Sequence, residues 1–141
     1  MDYIRLLCCG NSIENARCCL TKAVIGTAIK VNFAKDELVF IVVKYENDWN
    51  IIGAGYIDEP TNDNPFNPRE KYKYVYKLTK VSFCKPFGIT EETKMQLGER
   101  WGLLFQSPKK IYADEYISWI KSKYEKVDYN NWKLREVNDE V

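Results

Sequence analysis

The chain contains no histidine. That removes the most frequent general acid/base and the most frequent metal ligand, and with them Ser-His-Asp and Cys-His enzymes and His-ligated zinc hydrolases. No apolar run reaches the roughly 18 residues a membrane span needs, and Met1 to Cys9 lacks the basic start of a signal peptide. The expectation is a cytoplasmic protein with no membrane partner. Neither sign of charge dominates: 21 Lys and Arg face 20 Asp and Glu, a net +1, so any attraction for a polyanion must be local. Also missing are a glycine-rich phosphate loop, a nucleophile elbow and carboxylates paired on one helix face. Asp58-Glu59 could hold a metal or a water, but two consecutive acids entering a loop are usually just solvated. A non-enzymatic protein without metal or cofactor is expected. The five cysteines, two adjacent pairs (Cys8-Cys9, Cys18-Cys19) and Cys84, are an odd number that fits reduced, buried thiols better than a disulfide framework. Neighbouring cysteines on a strand point to opposite faces and converge poorly on zinc.

What is present is one domain's worth of chain, 141 residues, 45% hydrophobic and rich in rings, with ten Tyr and four Trp. Tyr3 to Cys9 reads as a buried strand, and Gly10-Asn11-Ser12 as a turn capping a helix from Ile13 to Leu20. Ala28 to Phe33 reads as a short strand. Leu38 to Val43 is a β-branched run suited to a central strand buried on both faces, hairpinned to Ile51 to Ile57. Gly53 and Gly55 let a ligand or another backbone approach that second strand. After a Pro- and Asn-rich loop from Asp58 to Pro68, a long strand is expected from Lys71 to Phe83. Tyr72, Tyr74 and Tyr76 fall on one face and Lys71, Lys73 and Lys77 on the other, and the apolar parity switches past Thr79, the mark of a bulge. Thr90 to Leu97 reads as a short helix and Trp101 to Phe105 as extended. Tyr112, Tyr116, Ile117, Ile120 and Tyr124 then recur at helical spacing. The domain is expected over residues 1–125, with a polar tail over 126–141.

Two features bear on function. Between Arg69 and Lys85, six cations (Arg69, Lys71, Lys73, Lys77, Lys80 and Lys85) face only Glu70 and alternate with tyrosines. Such a ribbon attracts phosphates through counterion release; equally, lysines keep an exposed strand soluble and unpaired. Trp49, Trp101, Tyr45, Tyr56, Phe66 and Phe105 lie where they could wall a pocket for a flat ligand, although aromatics in a small domain most often pack the core.

Five stretches in order carry a family resemblance: Leu7-Cys8-Cys9-Gly10-Asn11-Ser12, Lys35-Asp36-Glu37-Leu38-Val39-Phe40-Ile41-Val42, Ile52-Gly53-Ala54-Gly55-Tyr56-Ile57-Asp58-Glu59-Pro60, Tyr72-Lys73-Tyr74-Val75-Tyr76-Lys77-Leu78 and Arg100-Trp101-Gly102-Leu103-Leu104-Phe105. Together they resemble the EVE domains of the PUA-like group, which also contains the YTH readers of methylated adenine. The resemblance implies an α+β fold, a small, mostly antiparallel, partly closed β-barrel flanked by helices, with a cage for a modified base flipped from its strand. It places Asn11 on the base edge, Trp101 beside or under the base, and Tyr56 on the strand that floors the pocket. The family's Trp-Gly wall corresponds to Ile25-Gly26, apolar but without a ring, and Trp49 is expected to compensate from the hairpin tip. Arg69, Lys71, Lys73 and Lys77 then serve the phosphates. The implied partner is nucleic acid, modified DNA ahead of RNA, for a specificity module of a modification-dependent restriction system working with a motor or nuclease subunit. Two other readings stand beside it: a PUA-like RNA binder indifferent to modification, and a protein-interaction module.

Overall fold

A computed structural model describes residues 2–10, 12–45, 48–89, 108 and 110–129. The first strand, β1 (Ile4–Cys8), leaves through Gly10, whose φ of 58° is left-handed, into helix α1 (Ile13–Thr21). Ser12 caps that helix as expected, its Oγ accepting the Asn15 backbone N–H at 3.1 Å. Strands β2 (Val24–Thr27), β3 (Leu38–Tyr45) and β4 (Asp48–Thr61) follow, then a single 3-10 turn, Arg69–Tyr72. The long β5 (Tyr74–Gly88), the short β6 (Lys110–Ile111), helix α2 (Asp114–Lys123) and the short β7 (Lys126–Val127) complete the described elements.

The architecture is α+β. One mixed sheet runs β2-β5-β4-β3-β1-β6 with β7 beside β5, and it does not close on itself among the described residues. Every pairing is antiparallel except β1 on β3, where Leu6 faces Phe40 and Leu7 faces Ile41. The β-branched run is central, as its composition predicts, and alternation sends its side chains to both faces. Val39, Ile41 and Val43 join Ala16, Cys19 and Leu20 of α1 in one core, while Phe40 and Val42 join Tyr116 and Ile120 of α2 in the other. Full burial of each such aliphatic contributes about 1.5–3 kcal/mol, so this strand holds both layers to the sheet.

The predicted bulge is present. Ala54 pairs with Ser82 and Tyr56 with Thr79, so β5 carries an extra residue there, and Lys80 takes a φ of 51°. Gly53 does admit a close backbone, and that backbone belongs to the chain itself: a Cβ would lie 2.5 Å from the Ser82 carbonyl oxygen and 2.5 Å from a Leu20 methyl.

Four expectations are corrected. The strand expected at Ala28 to Phe33 forms instead at Val24–Thr27. Gly26 permits this, because a Cβ there would meet Tyr72 Cβ at 2.8 Å and the Phe66 ring at 2.9 Å, whereas Ile29 is left exposed in a loop. The long strand begins at Tyr74, not Lys71. Asn64 Nδ2 donates to the Tyr72 carbonyl at 2.8 Å and Lys71 N–H to Pro68 at 3.2 Å, winding that stretch into a turn. Tyr112 precedes the last helix and lies exposed against Tyr3, so the buried stripe of α2 is Tyr116 and Ile120. Within the expected tail, Lys126–Val127 pairs with Cys84 and Phe83. The expected helix at Thr90 to Leu97 and extended segment at Trp101 to Phe105 lie outside the described residues. Among those residues no helix is long and apolar enough to cross a membrane.

Candidate nucleic-acid interface

The cationic stretch is presented by a turn running into a strand. Arg69 and Lys71 lie on the 3-10 turn, Lys73 closes it and Lys77 follows on β5; all four are exposed. The turn is anchored from behind. Asn15, buried on α1, donates through Nδ2 to the Asn67 carbonyl at 3.1 Å and to the Tyr72 hydroxyl at 3.3 Å, and the Tyr72 ring lies 4.9 Å from that of Phe66. Among the described residues Arg69, Lys71 and Lys73 form no ion pair; Lys77 Nζ lies 3.5 Å from Glu59 Oε1 in a pair exposed on both sides. Exposed pairs of this kind contribute about 0–1 kcal/mol, so a phosphate can displace Glu59 at little cost.

Beside Lys77 opens a cavity of about 550 Å³. Ala23, Val24, Pro65 and Leu78 give it apolar wall, Lys22 and Lys77 give it cations, and Asp58 and Asp63 give it carboxylates. Its volume lies in the range of small-ligand sites, about 300–1,000 Å³.

Of the residues expected to form the base cage, the four described ones, Ile25, Gly26, Trp49 and Tyr56, are not brought to this cavity. Ile25 is wholly buried in the α1-side core while its neighbour Val24 lines the cavity, the consequence of a two-residue side-chain period. Gly26 is covered by Phe66 and Tyr72. Trp49, at the start of β4, packs on the α2-side core with Lys44 Nζ 5.6 Å from its ring centroid, so it and Ile25 serve opposite faces of the sheet. Tyr56 borders a different cavity, of about 360 Å³, whose charged lining is three carboxylates, Asp2, Asp36 and Asp114, against the single ammonium of Lys121, and Lys80 Nζ stands 5.8 Å from its ring centroid. Those carboxylates repel a phosphate, and the ring already carries a cation. Asn11 and Trp101 lie outside the described residues.

One polar constellation has no signal in the sequence. Arg5 and Glu37, both buried, form an ion pair through Nη2 and Oε2 at 3.0 Å, reinforced by Nε to Oε1 at 3.1 Å. Glu37 also accepts the Tyr3 hydroxyl and the Ala34 N–H, and Arg5 donates to the carbonyls of Asn32 and Pro108. Burial pushes the Glu37 carboxyl upward, but the bonds from Tyr3, Arg5 and Ala34 hold it below the ordinary glutamate value. Its hydrogen bond to Glu37, then burial, push the Tyr3 phenol up to about 12. With the carboxylate sealed from solvent and its charge matched, the group fastens β1 to the 32–37 loop and Pro108 and offers no free acid or base.

The cysteines are free thiols. Burial pushes Cys8 and Cys84 up to about 12, leaving next to no thiolate nucleophile at neutral pH. No group of three or more His, Cys, Asp or Glu is arranged to hold a metal among the described residues. In comparison with known proteins, the chain matches no family model and no curated protein sequence.

Proposed function

We propose that this protein is a non-catalytic, cytoplasmic nucleic-acid-binding module that reads a modified base, in DNA ahead of RNA, as specificity subunit to a motor or nuclease. One observation carries the reading: of four exposed cations, Arg69, Lys71 and Lys73 lie on a turn anchored by Asn15 and Lys77 on the strand that follows it, where it also walls a cavity of about 550 Å³. A phosphate backbone led along that ribbon arrives at a concavity wide enough for one extruded base. In this reading the mixed sheet with a helix on each face is a partly closed, PUA-like barrel. The apolar wall met by the base is Val24 with Leu78, in place of Ile25.

The test is equilibrium binding of matched DNA and RNA strands carrying N6-methyladenine, 5-methylcytosine or neither, over a salt series. The reading expects one salt slope shared by all strands and a constant gain from a methyl group. Equal affinity for unmodified structured RNA would instead identify an RNA binder indifferent to modification. Affinity for no strand, at any salt, would leave a protein-interaction module.

A further inference from the structure

The three tyrosines of the cationic stretch are not equivalent. Tyr72 is spent on the fold: its hydroxyl accepts from Asn15 Nδ2 at 3.3 Å and its ring lies 4.9 Å from that of Phe66. Tyr76 meets the Phe33 ring edge-on at 5.0 Å and packs on the α1-side core. Tyr74 has no ring contact and no side-chain hydrogen bond among the described residues, and it is 40% exposed. Of the other exposed aromatics, Tyr112 leans on Tyr3 at 5.4 Å and Tyr129 on Phe83 at 4.9 Å. Tyr74 is therefore the exposed ring left without a ring partner among the described residues.

Its surroundings are cationic. Tyr74 opens β5 directly after Lys73 and pairs with Thr27 at the end of β2, where the chain runs on into the exposed Ile29 and Lys30. Residues 28–33 and 69–77 carry five cations, Lys30, Arg69, Lys71, Lys73 and Lys77, against one acid, Glu70. The first four form no ion pair among the described residues. Lys73 keeps a helical backbone, φ −62° and ψ −35°, so strand alternation does not force its side chain to the face opposite Tyr74. Consecutive Cα atoms lie about 3.8 Å apart, so a phosphate on Lys73 and a base on Tyr74 belong to one nucleotide or to neighbours. An uncovered ring beside unpaired cations suits a nucleobase, because every base has a π face whatever its hydrogen-bonding edge. In a duplex those faces are covered by neighbouring bases, and reaching one means breaking the stack.

We infer that Tyr74 is the platform on which one base of a single strand stacks while Lys71 and Lys73 hold the adjoining phosphates. The inference rests on the nucleic-acid reading above and deepens it, by making the strand single where it crosses this corner. Tyr74 does not line the cavity beside Lys77, so the stacked base is a different one from the base that enters there.

The experiment measures binding over a salt series of a labelled single strand, its duplex, and a strand of equal length built of abasic nucleotides. Native protein is compared with Tyr74→Phe, which keeps the ring, and with Tyr74→Thr and Tyr74→Leu, which replace it by a small and a larger side chain. A thermal melt identifies the variants that keep the native fold. On the base-bearing strand, Tyr74→Thr and Tyr74→Leu should weaken binding about 5- to 150-fold, the worth of one stacked base, with the salt slope unchanged. Tyr74→Phe should bind as the native protein does. On the abasic strand and the duplex all four proteins should bind alike, since neither offers an open face. Native affinity of the ringless variants for the base-bearing strand, or a loss as large on the abasic strand or the duplex, overturns the stacking alone. Failure of every strand to bind overturns the nucleic-acid reading, and the stacking with it.

Discussion

Replacing Lys73 by glutamine should flatten the salt dependence of nucleic-acid binding by the share of one phosphate. Each phosphate neutralised on a single strand contributes a slope of about −0.7 in log K against log salt. Among the described residues Arg69, Lys71 and Lys73 carry no ion pair, and Lys77 starts 3.5 Å from Glu59, so on the proposed reading the native protein should engage between three and four phosphates. Its slope is then about −2.1 to −2.8, and raising salt from about 50 to about 200 mM weakens binding roughly 20- to 50-fold. Lys73→Gln should lift the slope by about 0.7 whatever the sequence. Glu59→Gln should move it the other way, toward the four-phosphate limit, because it releases Lys77. Fluorescence anisotropy titrations at four salt concentrations resolve these differences. Identical slopes for native protein and Lys73→Gln, or a native slope indistinguishable from zero, would refute the placement of the backbone on this ribbon.

Arg5→Met should cost about 3–5 kcal/mol in urea unfolding because it strands a buried carboxylate, while Arg5→Met/Glu37→Met costs far less than the two single changes summed. Additive costs would show the pair to be uncoupled. The folded Glu37 carboxyl lies below its ordinary value of 4.5, so its contribution is complete above that pH and is lost as pH falls through the lower folded value. A stability-against-pH curve should therefore show an acid limb that Glu37→Gln lacks, and superimposable relative curves would contradict this. Gly53→Ala should destabilise by roughly 1–3 kcal/mol, since its methyl meets a backbone carbonyl that cannot swing aside; a neutral result would mean that β4 and β5 separate easily. In a disulfide-exchange assay at neutral pH the folded protein should react slowly, Cys18 first among partly exposed thiols, and all five cysteines should react at once on unfolding. Rapid reaction of Cys84 in the folded protein would show that its burial is incomplete.

Local patterns were legible in the sequence where local physics decides. The capped helix after Gly10, the central β-branched strand, its hairpin with β4 and the bulge at Lys80 all follow from residues within a few positions of one another. What sequence could not supply was long-range. Val24–Thr27 is a strand because Gly26 fits under Phe66 and Tyr72, some 40 or more positions away in the chain, whereas the Ala28 to Phe33 stretch stays outside the sheet, with Phe33 edge-on to Tyr76 at 5.0 Å and Ile29 exposed. The Arg5–Glu37 pair is invisible because an arginine in a strand and a glutamate in a loop ordinarily face water. The site was legible as charge and not as shape. Lys77 does border a cavity, but strand parity turns Ile25 inward and presents Val24, while Tyr56 and Trp49 serve other surfaces.

The parallel seam of β1 on β3, with β6 on its far side, sets an order of assembly. The strand made first is flanked by one whose residues emerge some thirty positions later and by another, Lys110–Ile111, more than a hundred positions later. A growing chain can close the β3–β4 hairpin early, yet it holds Ile4 and Arg5 with one bare margin until synthesis has passed residue 111. During that interval an apolar ribbon with unmet N–H and C=O groups is open to foreign strands. Expression yield should thus depend on how fast the ribosome traverses the stretch between β5 and β6, an effect that no measurement on the finished fold would reveal.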